Sequence, residues 1–276
     1  VTGRRGGFSL IEVIVVIAVI SILAAMAVPY AAKLIDQSKE EATKKEMEEL
    51  SNAIMGDPKI LTGGFYGDVG RLPNNLDQLY NRTAPPLPAP PQGPPGGGTL
   101  GVKVGWYGPY INTGYTPLGY QTDAWGRPYA YSPIGAQAGQ IRSQGPDGAL
   151  GTADDILYPS NPLTVTTGRL TVNLFVWDNT TGVFVANPQT TSGFPAMTSA
   201  VRFYYSNNGN ETILAVNIPP ATGGGPYTFF GNSVHPGPHA VWAQCRLSPS
   251  NTTVSGQAVV YVPGNNQQTT LNLYLR

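Results

Sequence analysis

The chain has 276 residues and a mass of 29.2 kDa, enough for two packed domains. Its 16 basic and 16 acidic residues cancel, so no net charge draws it to nucleic acid or an anionic membrane. A single cysteine, Cys245, excludes an internal disulfide scaffold or a multi-cysteine metal centre, and 34 glycines, 26 prolines and only 12% charged residues favour strands and turns over a helical bundle.

Phe8 to Val28 is an apolar run of 21 residues whose polar members are Ser9, Glu12 and Ser21. As a helix it reaches about 31 Å, enough to cross the hydrocarbon of a bilayer. Arg4 and Arg5 before it orient that end toward the cytoplasm, which leaves the body of the protein outside. A cleaved signal peptide is one account, with Ala25-Met26-Ala27 as its cleavage site. The run is longer than a usual signal core, however, and it carries a carboxylate near its start. A plain signal anchor is the second account.

Gly6-Gly7-Phe8-Ser9-Leu10-Ile11-Glu12, the apolar run and then Pro29-Tyr30 resemble the start of type IV pilins and type II secretion pseudopilins. The resemblance implies a leader of residues 1–7, cleavage after Gly7 by a prepilin peptidase, and methylation of the new N-terminus at Phe8. It also implies filament assembly through Phe8, Glu12 and Pro29, on an inner-membrane assembly platform. The buried carboxylate has a physical rationale in that setting. An unpaired charge in hydrocarbon is costly, and Glu12 meeting the Phe8 ammonium of a neighbouring subunit cancels two such charges at once. Glu12 also suits a helix N-terminus by the dipole alone. Pro29 lacks an N–H and is expected to kink or locally melt the helix.

Past Pro29 the pattern turns amphipathic. Ten charged residues fall between Lys33 and Glu49, with Leu34, Ile35, Met47, Leu50 and Ile54 at mostly helical spacing. Glu40/Lys44 and Glu41/Lys45 have the better order for pairing one turn apart. The helix of residues 30–56 is expected to stop at Gly56-Asp57-Pro58 and to need a sheet over its apolar stripe.

Residues 57–158 are turn-rich. Gly70 to Leu79 suits a loop capped into a short helix, and residues 84–98, with seven prolines and four glycines, suit an extended surface insertion. Eight aromatic residues lie between Trp106 and Tyr131. They could stack on bases or sugars, but a head of few strands needs large side chains for its core, and no basic patch accompanies them. Gly108-Pro109-Tyr110 followed by Asp123-Ala124-Trp125-Gly126-Arg127-Pro128-Tyr129-Ala130-Tyr131 resembles the head of the major pseudopilin of type II secretion.

Between Gly145 and Ile156, Asp147, Asp154 and Asp155 stand on a glycine-rich stretch, chemistry suited to a hard cation such as calcium. The spacing is not that of an EF-hand, and an Asx-turn cluster without metal is the plain alternative. The stretch resembles the calcium loop of major pseudopilin heads (residues 144–156). That resemblance implies a structural calcium held by the side chains of Asp147, Asp154 and Asp155 and the backbone carbonyls near Gln144 and Ala149.

After Pro159–Pro162, alternating stretches at Leu170–Trp177, Ala200–Tyr205, Thr212–Ile218, Ala240–Leu247, Gln257–Val262 and Thr270–Leu275 indicate an antiparallel β-sandwich over 163–276. Its order of turns and strands is similar to prealbumin-like or carboxypeptidase-regulatory-like modules. His235 and His239 lie around a Pro-Gly turn, so their spacing is not helical and no third metal ligand stands near. Cys245 falls on an alternating strand as a small hydrophobe.

The expected fold is α+β: a long N-terminal helix, membrane-embedded over residues 8–29 and amphipathic over 30–56, packed on a small antiparallel head and followed by an all-β sandwich. No nucleophile with its base, phosphate-cradling loop or dinucleotide site is present in the sequence. The expected function is a structural filament subunit, not an enzyme. It would be a single-pass inner-membrane protein before assembly and a periplasmic or cell-surface filament of like subunits afterwards, with no nucleic-acid partner. The alternative is a surface adhesin or carbohydrate-binding protein that uses a pilin-like anchor.

Overall fold

The computed structural model describes residues 9–57, 63–83, 87, 101, 104–111, 119–163, 167–188, 196–218, 226–230, 234–248, 252–264 and 266–276. Gly7, Phe8 and, apart from Leu87, the whole 84–98 insertion lie outside them. One helix, α1 (Leu10–Met55), spans about a sixth of the chain. It is 46 residues long, about 69 Å at 1.5 Å per residue. The melting expected at Pro29 does not occur, since helical structure continues on both sides of it. The helix ends at Gly56, whose N–H donates to the Asn52 carbonyl at 2.8 Å.

The two halves of α1 have opposite surroundings. Residues 9–38 are exposed throughout, apolar side chains included, whereas Thr43, Met47, Leu50, Ser51, Ala53 and Ile54 are buried. Those buried positions recur every three or four residues, one stripe of the helix. They pack on a head built from α2 (Gly64–Val69) and a three-stranded antiparallel sheet of β1 (Ala130–Tyr131), β2 (Ile141–Ser143) and β3 (Ile156–Tyr158). Phe65, Leu79, Ile141 and Tyr129 complete this core. Asn75 caps a single helical turn at Leu76–Leu79, accepting from the Gln78 N–H at 3.2 Å, as the Gly70–Leu79 pattern suggests.

The second core belongs to a sandwich. One sheet has the order β10 (Thr252–Val262), β9 (Gly237–Ser248), β6 (Ala196–Asn207), β7 (Asn210–Ile218). The other has β11 (Gln268–Leu275), β4 (Arg169–Asp178) and β5 (Val183–Ala186), with β8 (Tyr227–Phe230) also paired to β4. Alternation decides what faces inward: Leu170, Val172, Leu174 and Val176 of β4 are fully buried against Val201, Phe203, Val241 and Cys245 of the facing sheet. All six strands expected from the sequence are present. The expectation of a purely antiparallel arrangement is corrected, because β11 runs parallel to β4 with Asn272 opposite Asn173. Strands β5 and β8 were not anticipated.

Head and sandwich share a packed interface. Gly67 of α2 lies against Gly237 of β9 so closely that a Cβ on Gly237, at φ 133°, would come within 2.9 Å of the Gly67 Cα. The Gly209 N–H donates to the Val69 carbonyl at 2.7 Å, and the Arg71 guanidinium donates to Asn208 Oδ1 at 2.5 Å. The His235 ring meets the edge of Tyr66 at 5.5 Å between centroids.

Candidate functional site

Two places carry the residues singled out in the sequence: the start of α1 and the acidic loop between β2 and β3. At the first, Ser9 and Glu12 form a reciprocal cap. The Glu12 N–H donates to Ser9 Oγ and the Ser9 N–H donates to Glu12 Oε2, each at 3.3 Å. Glu12 thus satisfies helix-end donors within its own chain, with its carboxylate at the positive end of the dipole. The apolar residues that follow have no cover, and α1 is the one helix among the described residues long and apolar enough to cross a bilayer.

The acidic loop is organised from the turn Asp123–Arg127. Asp123 is almost fully buried. Its Oδ1 accepts from the Trp125 N–H at 3.0 Å and the Arg127 N–H at 2.9 Å, and its Oδ2 accepts from Ser143 Oγ at 2.6 Å. Gly126 turns the chain with φ 81°, a conformation that favours glycine. The next residue, Arg127, reaches into the loop and donates to the carbonyls of Gly145 and Pro146. On the other side, the Ala124 N–H donates to Thr43 Oγ1 of α1 at 3.2 Å. The loop, the turn and the helix are therefore one hydrogen-bonded unit.

Within the loop, side-chain oxygens cap backbone donors. The Asp147 N–H donates to Asp154 Oδ2 at 3.0 Å, Ala149 N–H to Asp147 Oδ1 at 2.8 Å, and Gly151 N–H to Asp155 Oδ2 at 2.7 Å. The Asp147 N–H and the Thr152 hydroxyl hold the Asp154 carboxyl below its ordinary pKa. The carbonyls of Gln144 and Ala149 each accept one bond, from the Gly148 N–H and the Thr152 hydroxyl. Among the described residues no three His, Cys, Asp or Glu side chains are gathered into a cluster able to hold a metal. One observation does fit a hard cation: Asp155 Oδ1 is buried and has no hydrogen-bond partner, although Arg142 stands 3.7 Å from the other oxygen. A buried carboxylate oxygen without a donor is costly, and an ion would satisfy it.

Four aromatic residues of the head direct their polar groups to carboxylates and carbonyls. Tyr129 donates to Glu46 Oε2 at 3.0 Å, Tyr110 to Asp68 Oδ2 at 2.9 Å, Tyr120 to Asp77 Oδ1 at 2.6 Å, and the Trp106 indole to the Gln78 carbonyl at 2.6 Å. Burial pushes Tyr120 up to about 12 and raises Glu46. This is the packing role expected of them. His235 and His239 are both buried with rings 4.7 Å apart. Their nitrogens approach the carbonyls of Pro236, Ser206 and His235, and burial drives His239 down to about 3.

The roles of Asp123, Arg127 and Ser143 were not assigned from the sequence. Asp123 and Arg127 lie in a motif that stood out for its aromatics, and the Ser143 contact crosses 20 residues without any local signal.

Comparison with known proteins adds three findings. Residues 2–28 match the family described as "Prokaryotic N-terminal methylation motif". The chain is 27% identical over 160 residues to the type II secretion system core protein G of Escherichia coli (strain K12), and 31% identical over 164 residues to that of Aeromonas hydrophila. Each alignment covers 91% of the relative but only 56% and 55% of this chain, so the chain carries much length beyond them. No solved structure gives a significant match.

Proposed function

The chain belongs to the family of type II secretion system core protein G, and from that premise we propose how its own residues make it a working subunit of the secretion filament. It is a pseudopilin with a prepilin-type N-terminus, a structural subunit and not an enzyme. We assign Gly7 as the residue before the peptidase cut and Phe8 as the methylated N-terminus. Cleavage there exposes an ammonium two residues before the first helical residue, Leu10. In the assembled filament the Phe8 ammonium of one subunit takes the Glu12 carboxylate of its neighbour, while Pro29 marks the join between membrane-embedded and packed halves. A prepilin peptidase and an inner-membrane assembly platform are the partners this requires. The prealbumin-like or carboxypeptidase-regulatory-like sandwich is carried on the filament surface.

The observation that supports this reading best is the exposure of every residue from Ser9 to Ser38 in a helix whose second half is buried in the head. Uncovered apolar surface of that extent needs lipid or other helices around it. The Ser9–Glu12 cap allows a clean test. Glu12→Gln preserves a side chain able to close the cap but removes the charge. It is expected to be cleaved normally after Gly7, by mass of the mature N-terminus, yet to be excluded from filaments by the same margin as Glu12→Ala. Normal assembly of Glu12→Gln would leave Glu12 a capping residue only.

We further propose that Asp147, Asp154 and Asp155, with the carbonyls of Gln144 and Ala149, hold a structural calcium ion. Bound there, calcium would draw these oxygens together and offset the charge of the three carboxylates. Arg127 holds the start of the loop from outside the ligand set. Chelation is expected to lower head stability by about 2.7 kcal/mol relative to calcium at a hundredfold excess over Kd, read by thermal unfolding. Asp147→Ala should show the same loss and no further response to chelator. An unchanged melting temperature would leave a loop held by its Asx turns alone.

A further inference from the structure

The outward face of the β11–β4–β5 sheet is built differently from the rest of the sandwich surface. Alternation along β4 turns Asn173, Phe175 and Trp177 away from the core. The parallel register places Asn272 opposite Asn173 and Tyr274 opposite Phe175, so like residues lie side by side across the two strands. Phe175 and Tyr274 stack at 4.9 Å, Phe184 from β5 meets Tyr274 edge-on at 5.1 Å and Trp177 at 5.0 Å, and the Arg276 guanidinium covers Trp177 at 5.2 Å. Tyr274 is 53% exposed and Phe184 36%. Beside the rings runs a relay of amides: Asn187 Nδ2 donates to Asn173 Oδ1 at 3.1 Å, and Asn173 Nδ2 donates to Asn272 Oδ1 at 3.0 Å. The relay ends at Asn272, which is exposed.

Charge and area together select the occupant. The outward positions from Thr171 to Trp177 and from Gln268 to Tyr274 include no carboxylate, lysine or arginine. A charged polymer thus finds no counter-charges along the middle of this face. A second protein finds only a small apolar anchor: Tyr274 and Phe184, at these exposures, offer roughly 200 Å², against the roughly 800 Å² per partner of a stable protein interface. A neutral polyhydroxylated chain fits both limits. The C–H faces of its sugar rings lie against aromatic carbon, and its hydroxyls exchange hydrogen bonds with amides. From the Asn173–Asn272 pair to Trp177 the platform extends about 13 Å along the strands, room for a short oligosaccharide.

We propose that this face binds an uncharged polysaccharide, with Tyr274 and Phe184 as its stacking surface and Asn272 and Asn173 as its hydrogen-bonding edge. The site is independent of the filament reading: it needs a folded sandwich, whatever the N-terminal helix does.

The test is calorimetric titration of the full chain in detergent micelles with four neutral hexasaccharides: cello-, xylo-, manno- and chitohexaose. Binding of at least one is expected, weakened about tenfold or more, some 1.4 kcal/mol, by Tyr274→Ala and retained by Tyr274→Phe. Asn272→Leu sits at an exposed position and leaves every ring in place, so it tests the amide edge even where an aromatic deletion fails to fold. It should weaken binding by a similar factor. Absence of binding to all four sugars, or binding unchanged in both Tyr274→Ala and Asn272→Leu, would overturn the proposal. So would self-association in sedimentation that Tyr274→Ala abolishes, since the face would then be an interface between copies.

Discussion

Head and sandwich reach stability by different means. The sandwich is a stack of alternating strands whose inward side chains, Leu170 to Val176 on one sheet and Val201 to Cys245 on the other, form an apolar core. The head has eight residues in its three strands and a short helix beyond α1. Its core is spread over loops that polar side chains must pin: tyrosine and tryptophan donors on carboxylates and carbonyls, Asp123 on three donors, Arg127 on two carbonyls. Where regular backbone pairing is scarce, side chains satisfy the backbone and fix the loops. Damage should therefore be read in volume in the sandwich and in hydrogen bonds in the head.

The strongest break of this contrast is Phe203→Ala. Phe203 is fully buried, stacked on Phe229 at 5.2 Å and against His239 at 4.9 Å. Its truncation should cost about 3–5 kcal/mol, seen as a lower urea midpoint with little change in slope. A loss below about 1 kcal/mol would mean that the two sheets are not held by this core.

The same contrast explains what could be read from the chain. Six sandwich strands were visible because inside and outside alternate residue by residue, and the amphipathic half of α1 because its apolar residues recur each turn. Strand β5 is only four residues long and its side chains are mostly exposed, which leaves little apolar pattern. Helix α2 has the sequence Gly-Phe-Tyr-Gly-Asp-Val, whose glycines speak for a turn while its burial against α1 and β9 makes it a helix. The parallel pairing of β11 with β4 joins segments about a hundred residues apart, and nothing local states strand direction. The acidic loop stood out by composition. The Arg127 and Ser143 contacts that anchor it are tertiary and left no pattern to find.

Acid should separate the two regions by sign. Burial lowers both histidines, His239 to about 3 and His235 in the same direction. The unfolded chain, with imidazoles near the ordinary 6.5, then binds more protons as pH falls. Their stabilising contribution is complete above about 6.5 and is lost progressively toward 3. Between pH 6.5 and 5.5 the loss from His239 is about 1 kcal/mol, with His235 adding in the same direction, read as a falling urea midpoint. Glu46 in the head acts in the opposite sense: burial raises its carboxyl, so the cost of keeping it ionised is relieved as pH falls. A sandwich midpoint flat across that interval would show that the His235–His239 pair is hydrated rather than sealed against α2.

The smallest expected effect bears on the tethers themselves. In Tyr129→Phe the ring stays, with its place in the core beside Met47 and Leu50, and only the hydroxyl that donates to Glu46 Oε2 is lost. A buried packing residue would tolerate this change almost freely. A tether would not, because Glu46 is half-buried and loses its neutral donor while remaining desolvated. The expected cost is about 1 kcal/mol at pH 7. It should shrink when pH falls far enough to protonate Glu46, since a neutral carboxyl needs the donor less. Pairing Tyr129→Phe with Glu46→Met, which keeps side-chain length but removes the acceptor, in a double-mutant cycle isolates the contact from changes in packing. A coupling near zero would assign head stability to ring burial alone, and head and sandwich would then be held by the same force after all.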